Sequence, residues 1–132
     1  KKNFKFIENK KNLGVARSAN IGIKNSNGKY FVRVDADDYV DKNFLKLLFK
    51  FIIKKPKILG VSSDYCYFKN NRKIIKRFSY KLWPISCGVM YNRKMLIRLG
   101  SYNSKFRHRE EEELRKRLGA KYKIINFYIF IL

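Results

Sequence analysis

Lys29-Tyr-Phe-Val-Arg-Val-Asp-Ala-Asp-Asp38 is the stretch on which the reading of this chain turns. Its first six residues, Lys29 to Val34, are rich in aromatic and β-branched side chains and predict a strand. Three carboxylates, Asp35, Asp37 and Asp38, crowd its C-terminal end, and Asp41 follows. In an open α/β sheet, ligands bind beyond the carboxyl ends of the strands. Carboxylates placed there can converge on a hard divalent cation, Mg²⁺ or Mn²⁺, that keeps positions open for phosphate oxygens. The competing reading is a helix N-cap, from Asp38 or Asp41, and a solvated turn.

Phe4 to Glu8 alternates and reads as a strand. Gly14 to Lys24 carries Val15, Ala16, Ala19 and Ile23 at helical spacing, and Gly28 stands in the usual place past a helix end. Asp41 is expected to cap a helix over 42–53, which Pro56 closes. Residues 58–68 and 73–78 read as a hairpin with Lys69–Arg72 at its tip. Leu82-Trp-Pro84 is loop, Ser86–Tyr91 a short strand, Arg93–Leu99 a short helix stopped by Gly100, and Glu110–Leu118 a helix stopped by Gly119. Lys121–Leu132 is a final β-like run. Strands and helices in this order predict an α/β layer fold with a partly antiparallel extension.

The chain has 132 residues, enough for one domain. Lys plus Arg is 32 against 10 acids, a net charge of +22. Such an excess suits a polyanion or an anionic membrane, or an AT-rich genome filling solvated faces with Lys. Two cysteines and one histidine exclude a disulfide scaffold and a four-Cys zinc site. With no secretory signal and an apolar C-terminal run far short of the roughly 20 residues of a spanning helix, a cytoplasmic setting is expected. Eight of the ten acids lie in two clusters, the one after the strand and Glu110-Glu-Glu-Glu113. Drift toward Lys does not gather carboxylates. Their mutual repulsion has to be offset by a cation, a helix N-terminus or a function.

Three motifs in order carry a resemblance. Asn12-Leu-Gly-Val-Ala-Arg-Ser-Ala-Asn-Ile-Gly-Ile23 runs on to Asn27-Gly-Lys-Tyr30 and the strand ending in Asp35-Ala-Asp-Asp38. Pro84-Ile-Ser-Cys-Gly-Val-Met-Tyr91 precedes Leu96-Ile-Arg-Leu-Gly-Ser-Tyr102. Phe106-Arg-His-Arg-Glu-Glu-Glu-Glu-Leu-Arg-Lys-Arg-Leu118 closes the set. Over about residues 4–126 the chain resembles family 2 glycosyltransferases of the GT-A fold, the nucleotide-diphospho-sugar transferase architecture of a mixed sheet flanked by helices. Against that family the sequence opens at the counterpart of the third strand and stops before further acceptor-side elements. It therefore reads as one partial, N-terminally truncated domain, with residues 1–55 the donor and metal-binding part and 56–132 the acceptor-side part.

The resemblance implies inverting, metal-assisted transfer of a sugar from a nucleotide-sugar donor to an acceptor hydroxyl, in polysaccharide or glycolipid synthesis. It implies that Asp37, with Asp35 and Asp38, holds Mg²⁺ or Mn²⁺ on the diphosphate, and that Asp35 also contacts the nucleotide. Gly14, Arg17 and Asn20 would line the nucleotide pocket, Asn20 alternatively bracing the Asp turn. Cys87 and Gly88 would lie near the donor sugar and acceptor. Glu111 takes the place of the family motif's Asp as general base, one methylene longer, and Glu110 would orient a neighbour or the acceptor. A base of this kind removes the proton of a poorly nucleophilic hydroxyl as it attacks, typically worth roughly 10²–10⁴-fold. Taken alone, the Glu run followed by Arg115-Lys-Arg117 also suits the helix dipole and i,i+4 pairing.

Trp83 is placed to stack on an acceptor sugar or to pack as wall. His108 is placed to bind phosphate, to tune Glu111, or to sit in an exposed loop. The expected partners are the donor, a saccharide or lipid-linked acceptor, and the inner face of an anionic membrane. Three alternatives remain. A dehalogenase-like phosphatase needs a small residue and Thr after the second Asp, where Asp38-Tyr39 stands. A basic nucleic-acid-binding module leaves both acid clusters unexplained and no nucleic acid is expected. The third is an inactive glycosyltransferase remnant.

Overall fold

The β-rich runs of the chain meet in one mixed five-stranded sheet in the computed structural model, which describes residues 4–68 and 74–130. The strands are β1 (Tyr30–Val32), β2 (Gly60–Phe68), β3 (Ile74–Phe78), β4 (Val89–Asn92) and β5 (Ile124–Phe130). Their order is β1-β4-β2-β3, with β5 beside β2. The pair β2/β5 is parallel and the other pairs are antiparallel. One strand serves three partners because its two halves differ: Gly60–Ser62 pairs with β4 and β5, whereas Tyr65 and beyond turns to β3. Gly60 is required at this crowded point, since a Cβ there would stand 2.8 Å from the Met90 carbonyl oxygen.

Helices cover both faces. They are α1 (Val15–Asn25), α2 (Phe44–Ile52), α3 (Arg93–Arg98) and α4 (Glu110–Leu118), the last followed by a 3₁₀ turn over Gly119–Lys121. The two-residue period of β4 divides the core. Met90 points to α2, where it packs with Val61, Phe44, Leu48 and Ile52. Val89 and Tyr91 point the other way, toward Ala16 and Ile23 of α1, Leu96 of α3, and Leu114 and Leu118 of α4. The second core joins α1 to the later helices, so residues 1–55 and 56–132 share one interior.

Several expectations shift. Phe4–Glu8 joins no ladder among the described residues, and Phe4 and Phe6 are 80% and 76% exposed. Alternation supplies a strand's faces but not its hydrogen-bond partner. Asp41 does not cap α2 directly. Its carboxylate accepts from the Asn43 N–H at 2.7 Å and its carbonyl from the Phe44 N–H at 2.9 Å, so the helix starts after an Asx turn, with Asn43 as N-cap. The hairpin forms as Tyr65↔Phe78, Cys66↔Arg77 and Tyr67↔Lys76. Its expected tip, Lys69–Arg72, and Lys73 lie outside the described residues, as do Ile131 and Leu132 of the last run.

Candidate active site

Arg33 follows β1 directly, and the period-two alternation decides where it points. Phe31 packs toward α1, α3 and α4, and Val32 toward α2. Arg33 therefore takes the Phe31 side, beneath the start of α4. Its guanidinium donates from Nε to Asp35 Oδ1 at 2.6 Å, from Nη2 to Asp35 Oδ2 at 2.7 Å, and from Nη1 to Glu110 Oε1 at 2.8 Å. A planar fork is the side chain suited to two carboxylates at once. Burial works against the cation, but its bonds to Asp35 and Glu110 outweigh that and push the Arg33 pKa up.

Glu110 is 4% exposed and shares its helical face with Leu114 and Leu118, both buried. An acid thus stands at a core position of the α4 stripe, tolerable because it is paired and hydrogen-bonded. Its chain enters through Arg109, whose φ of 61° turns the backbone into the helix, and whose carbonyl accepts from Glu112 and Glu113. Glu113 pairs with Arg117, and Glu112 with Arg109.

The segment before β4 joins the two acid clusters. The Ser86 hydroxyl, buried, lies 3.2 Å from Glu110 Oε1 and 3.3 Å from Glu111 Oε2, and its one proton serves either. The next residue, Cys87, is buried against the Asp turn. Burial first, and its hydrogen bond to the Asp38 carboxylate second, push the thiol up to about 12. The Gly88 N–H donates to the Arg33 carbonyl at 3.2 Å, and its φ of 77° suits glycine. A connected path therefore runs Asp35, Arg33, Glu110, Ser86, Glu111, with Cys87 on Asp38 beside it. Tyr102 completes the wall. It is 1% exposed, and burial lifts its phenol to about 12 against the opposing charge of Arg33.

Among the other sequence candidates, Gly14 sits at the start of α1 with φ 78°, its N–H held by Asn12 Oδ1. Asn20 does not reach the Asp turn. Its Nδ2 donates to the Tyr102 carbonyl at 2.7 Å and its Oδ1 accepts from the Tyr102 N–H at 3.1 Å. Arg17 is exposed on α1. Trp83 is 62% exposed in the loop that carries Ser86, with its carbonyl accepting from the Tyr65 hydroxyl. His108 is exposed and lines a shallow depression with Arg109 and Glu112. Arg33, Ser86 and Tyr102 are the site residues that sequence reasoning passed over.

The sequence also predicts a metal site at the Asp turn. Both Asp35 oxygens are taken by Arg33, and Asp38 is engaged by Cys87. Among the described residues no group of three or more His, Cys, Asp or Glu side chains is arranged to hold a metal ion. The three carboxylates thus do not form a protein-only cage. Asp37 is exposed and makes no side-chain hydrogen bond or ion pair among the described residues. One or two carboxylates completed by substrate phosphates is a set that Mg²⁺ accepts, and Asp37 with Asp38 fits it.

The sequence profile of Glycosyl transferase family 2 matches residues 1–118. A stretch of 62 residues, 47% of this chain, is 39% identical to an uncharacterised glycosyltransferase of Haemophilus influenzae and covers 19% of it. A stretch of the same length is 29% identical to glycosyltransferase GlyA of Streptococcus pneumoniae and covers 9% of that protein. The matched part is thus a fifth or less of each relative.

Proposed function

This chain belongs to glycosyl transferase family 2, and from that premise we propose that it transfers a sugar from a nucleotide-sugar donor to an acceptor hydroxyl with inversion at the anomeric carbon. The observation that carries the reading is the path through Arg33 and Ser86, which brings the start of α4 to the Asp turn. Glu111 is the base. It is half-buried, and among the described residues its side chain is held by Ser86 alone and has no cation within ion-pair distance. It takes the acceptor proton as the hydroxyl oxygen attacks the anomeric carbon, and the bond to the nucleoside diphosphate breaks. Glu110, with both neighbours engaged, keeps Glu111 in place rather than taking the proton itself.

Asp37 and Asp38 would hold Mg²⁺ or Mn²⁺, which when bound neutralises charge on the departing diphosphate. Asp35, locked by Arg33, holds the turn on which they stand. Gly14 and Arg17 would face the nucleotide from the start of α1, and Cys87, Gly88 and Trp83 the sugar and acceptor. Residues 1–55 supply most of the donor side and 56–132 the acceptor side.

The test uses Mn²⁺-dependent nucleotide-sugar binding and sugar transfer by the purified protein. Asp37→Ala should lose metal-dependent donor binding. Glu111→Gln should keep it and lose transfer by roughly 10²–10⁴-fold. Two variants indistinguishable from the parent would sink the assignment.

No helix among the described residues is long and apolar enough to cross a membrane. We place the protein at the cytoplasmic face of an anionic membrane, supported by its +22 charge and by Lys81-Leu-Trp83, where Leu82 and Trp83 are 72% and 62% exposed. Cosedimentation with vesicles containing anionic lipid at moderate salt checks this, and no binding there removes it.

A further inference from the structure

One turn beyond Glu111 along α4, the helix borders a cavity of about 510 Å³ that lies outside the path from Asp35 to Glu111. This is a usual size for a small-molecule site. Arg115, Lys81 and Lys123 line it, and no acid does. No carboxylate of the described residues lies within ion-pair distance of any of the three, although Arg33, Arg109 and Arg117 all have one. Arg115 is half-buried, and among the described residues its one hydrogen bond is a long one, from Nε to the Glu111 carbonyl at 3.4 Å. The rest of the wall includes Leu118, Tyr122 and Ile124. Three cations lining one cavity repel one another unless an anion joins them. The apolar wall next to them is surface that a hydrocarbon group would cover.

We infer that this cavity binds a phosphate-bearing amphiphile, its phosphate on Arg115, Lys81 and Lys123 and its apolar part against Leu118, Tyr122 and Ile124. Resting on the transferase reading, this ligand is the acceptor, and it also carries the hydroxyl whose proton Glu111, one helical turn away, takes. The cavity also explains why Arg115 stays unpaired in a helix whose neighbouring arginine finds Glu113.

Calorimetric titration of the purified protein, with no donor and no metal, tests the site. The probes are octyl phosphate below its micellar concentration, inorganic phosphate, and octanol. Octyl phosphate should bind at least tenfold more tightly than either of the others. The double variant Lys81→Met/Lys123→Met, at two exposed positions, should weaken it tenfold or more, and Arg115→Met likewise. Lys50→Met/Lys54→Met removes the same charge away from the cavity and should leave it unchanged. No binding, equal binding of inorganic phosphate or octanol, or equal loss in the two double variants overturns the proposal. Failure is separable from that of the transferase reading. Octyl phosphate binding that follows this pattern, in a protein with no metal-dependent donor binding, keeps the cavity and removes the acceptor role.

Discussion

Arg33 carries more of the site than any other side chain, and it does so as a buried cation between two acids. Its side chain is 13% exposed and that of Glu110 is 5% exposed. Removing Glu110 leaves Arg33 its two bonds to Asp35, so what is lost is one buried charge-assisted hydrogen bond, roughly 1.5–3 kcal/mol. Glu110→Ala should lower unfolding stability by about that amount, read from urea midpoints. Replacing both partners should cost much less than the sum of the singles, so Arg33→Met/Glu110→Leu should show strong favourable coupling in a double-mutant cycle. Additive effects would show that the pair does not act as a unit. The acids at both ends of this contact were legible in the sequence because clustered carboxylates stand out among so many cations. Arg33 was not, since one cation in 32 carries no mark. Its parity with Phe31 in the strand was the only available signal. Ser86 had none, because a serine two residues before a glycine is ordinary until a helix lands on it.

The elements place these residues, and their joints are where the site is most easily loosened. Asn20 ties α1 to the backbone of Tyr102 through two hydrogen bonds, 2.7 and 3.1 Å long. Asn20→Ala leaves a backbone donor and acceptor without partners, which costs about 1–3 kcal/mol in a buried setting. Thermal unfolding should show this loss, and an unchanged midpoint would make the clamp dispensable. Gly60→Ala drives a Cβ against the Met90 carbonyl, where the β2/β4 ladder has no room. Overpacking of this kind costs about 1–3 kcal/mol, seen as a lower urea midpoint. Helix positions were readable because their apolar stripes are local: α4 keeps its expected bounds and α2 shortens by two residues at its start and one at its end. Pairing was less readable. β5 lies parallel to β2 across some sixty intervening residues, and nothing in either strand announces its partner. Phe4–Glu8 has the pattern of a strand without a neighbour in the sheet, which pattern alone does not reveal.

At the scale of the whole molecule, the site's buried thiol and phenol link folding to alkaline pH. The Cys87 thiol and the Tyr102 phenol are both raised to about 12, above the roughly 8.5 and 10 of the unfolded chain. For both groups the folded state holds the proton more tightly. Their contribution is fully present below the unfolded value and is lost as pH rises toward 12. The net charge of +22 pulls the other way, because deprotonating lysines near their usual value relieves self-repulsion. The parent's stability above pH 9 is therefore a balance of two opposed slopes. A comparison of variants separates them. Cys87→Ala leaves the lysines untouched and removes only the thiol, so parent minus variant should be flat from pH 7 to about 8.5 and fall steadily above it. Urea midpoints at half-unit pH steps measure that difference. A difference that stays level to pH 11 would mean that Cys87 is open to water, and that the loop bearing Ser86 and Gly88 is not closed over the Asp turn as the site requires.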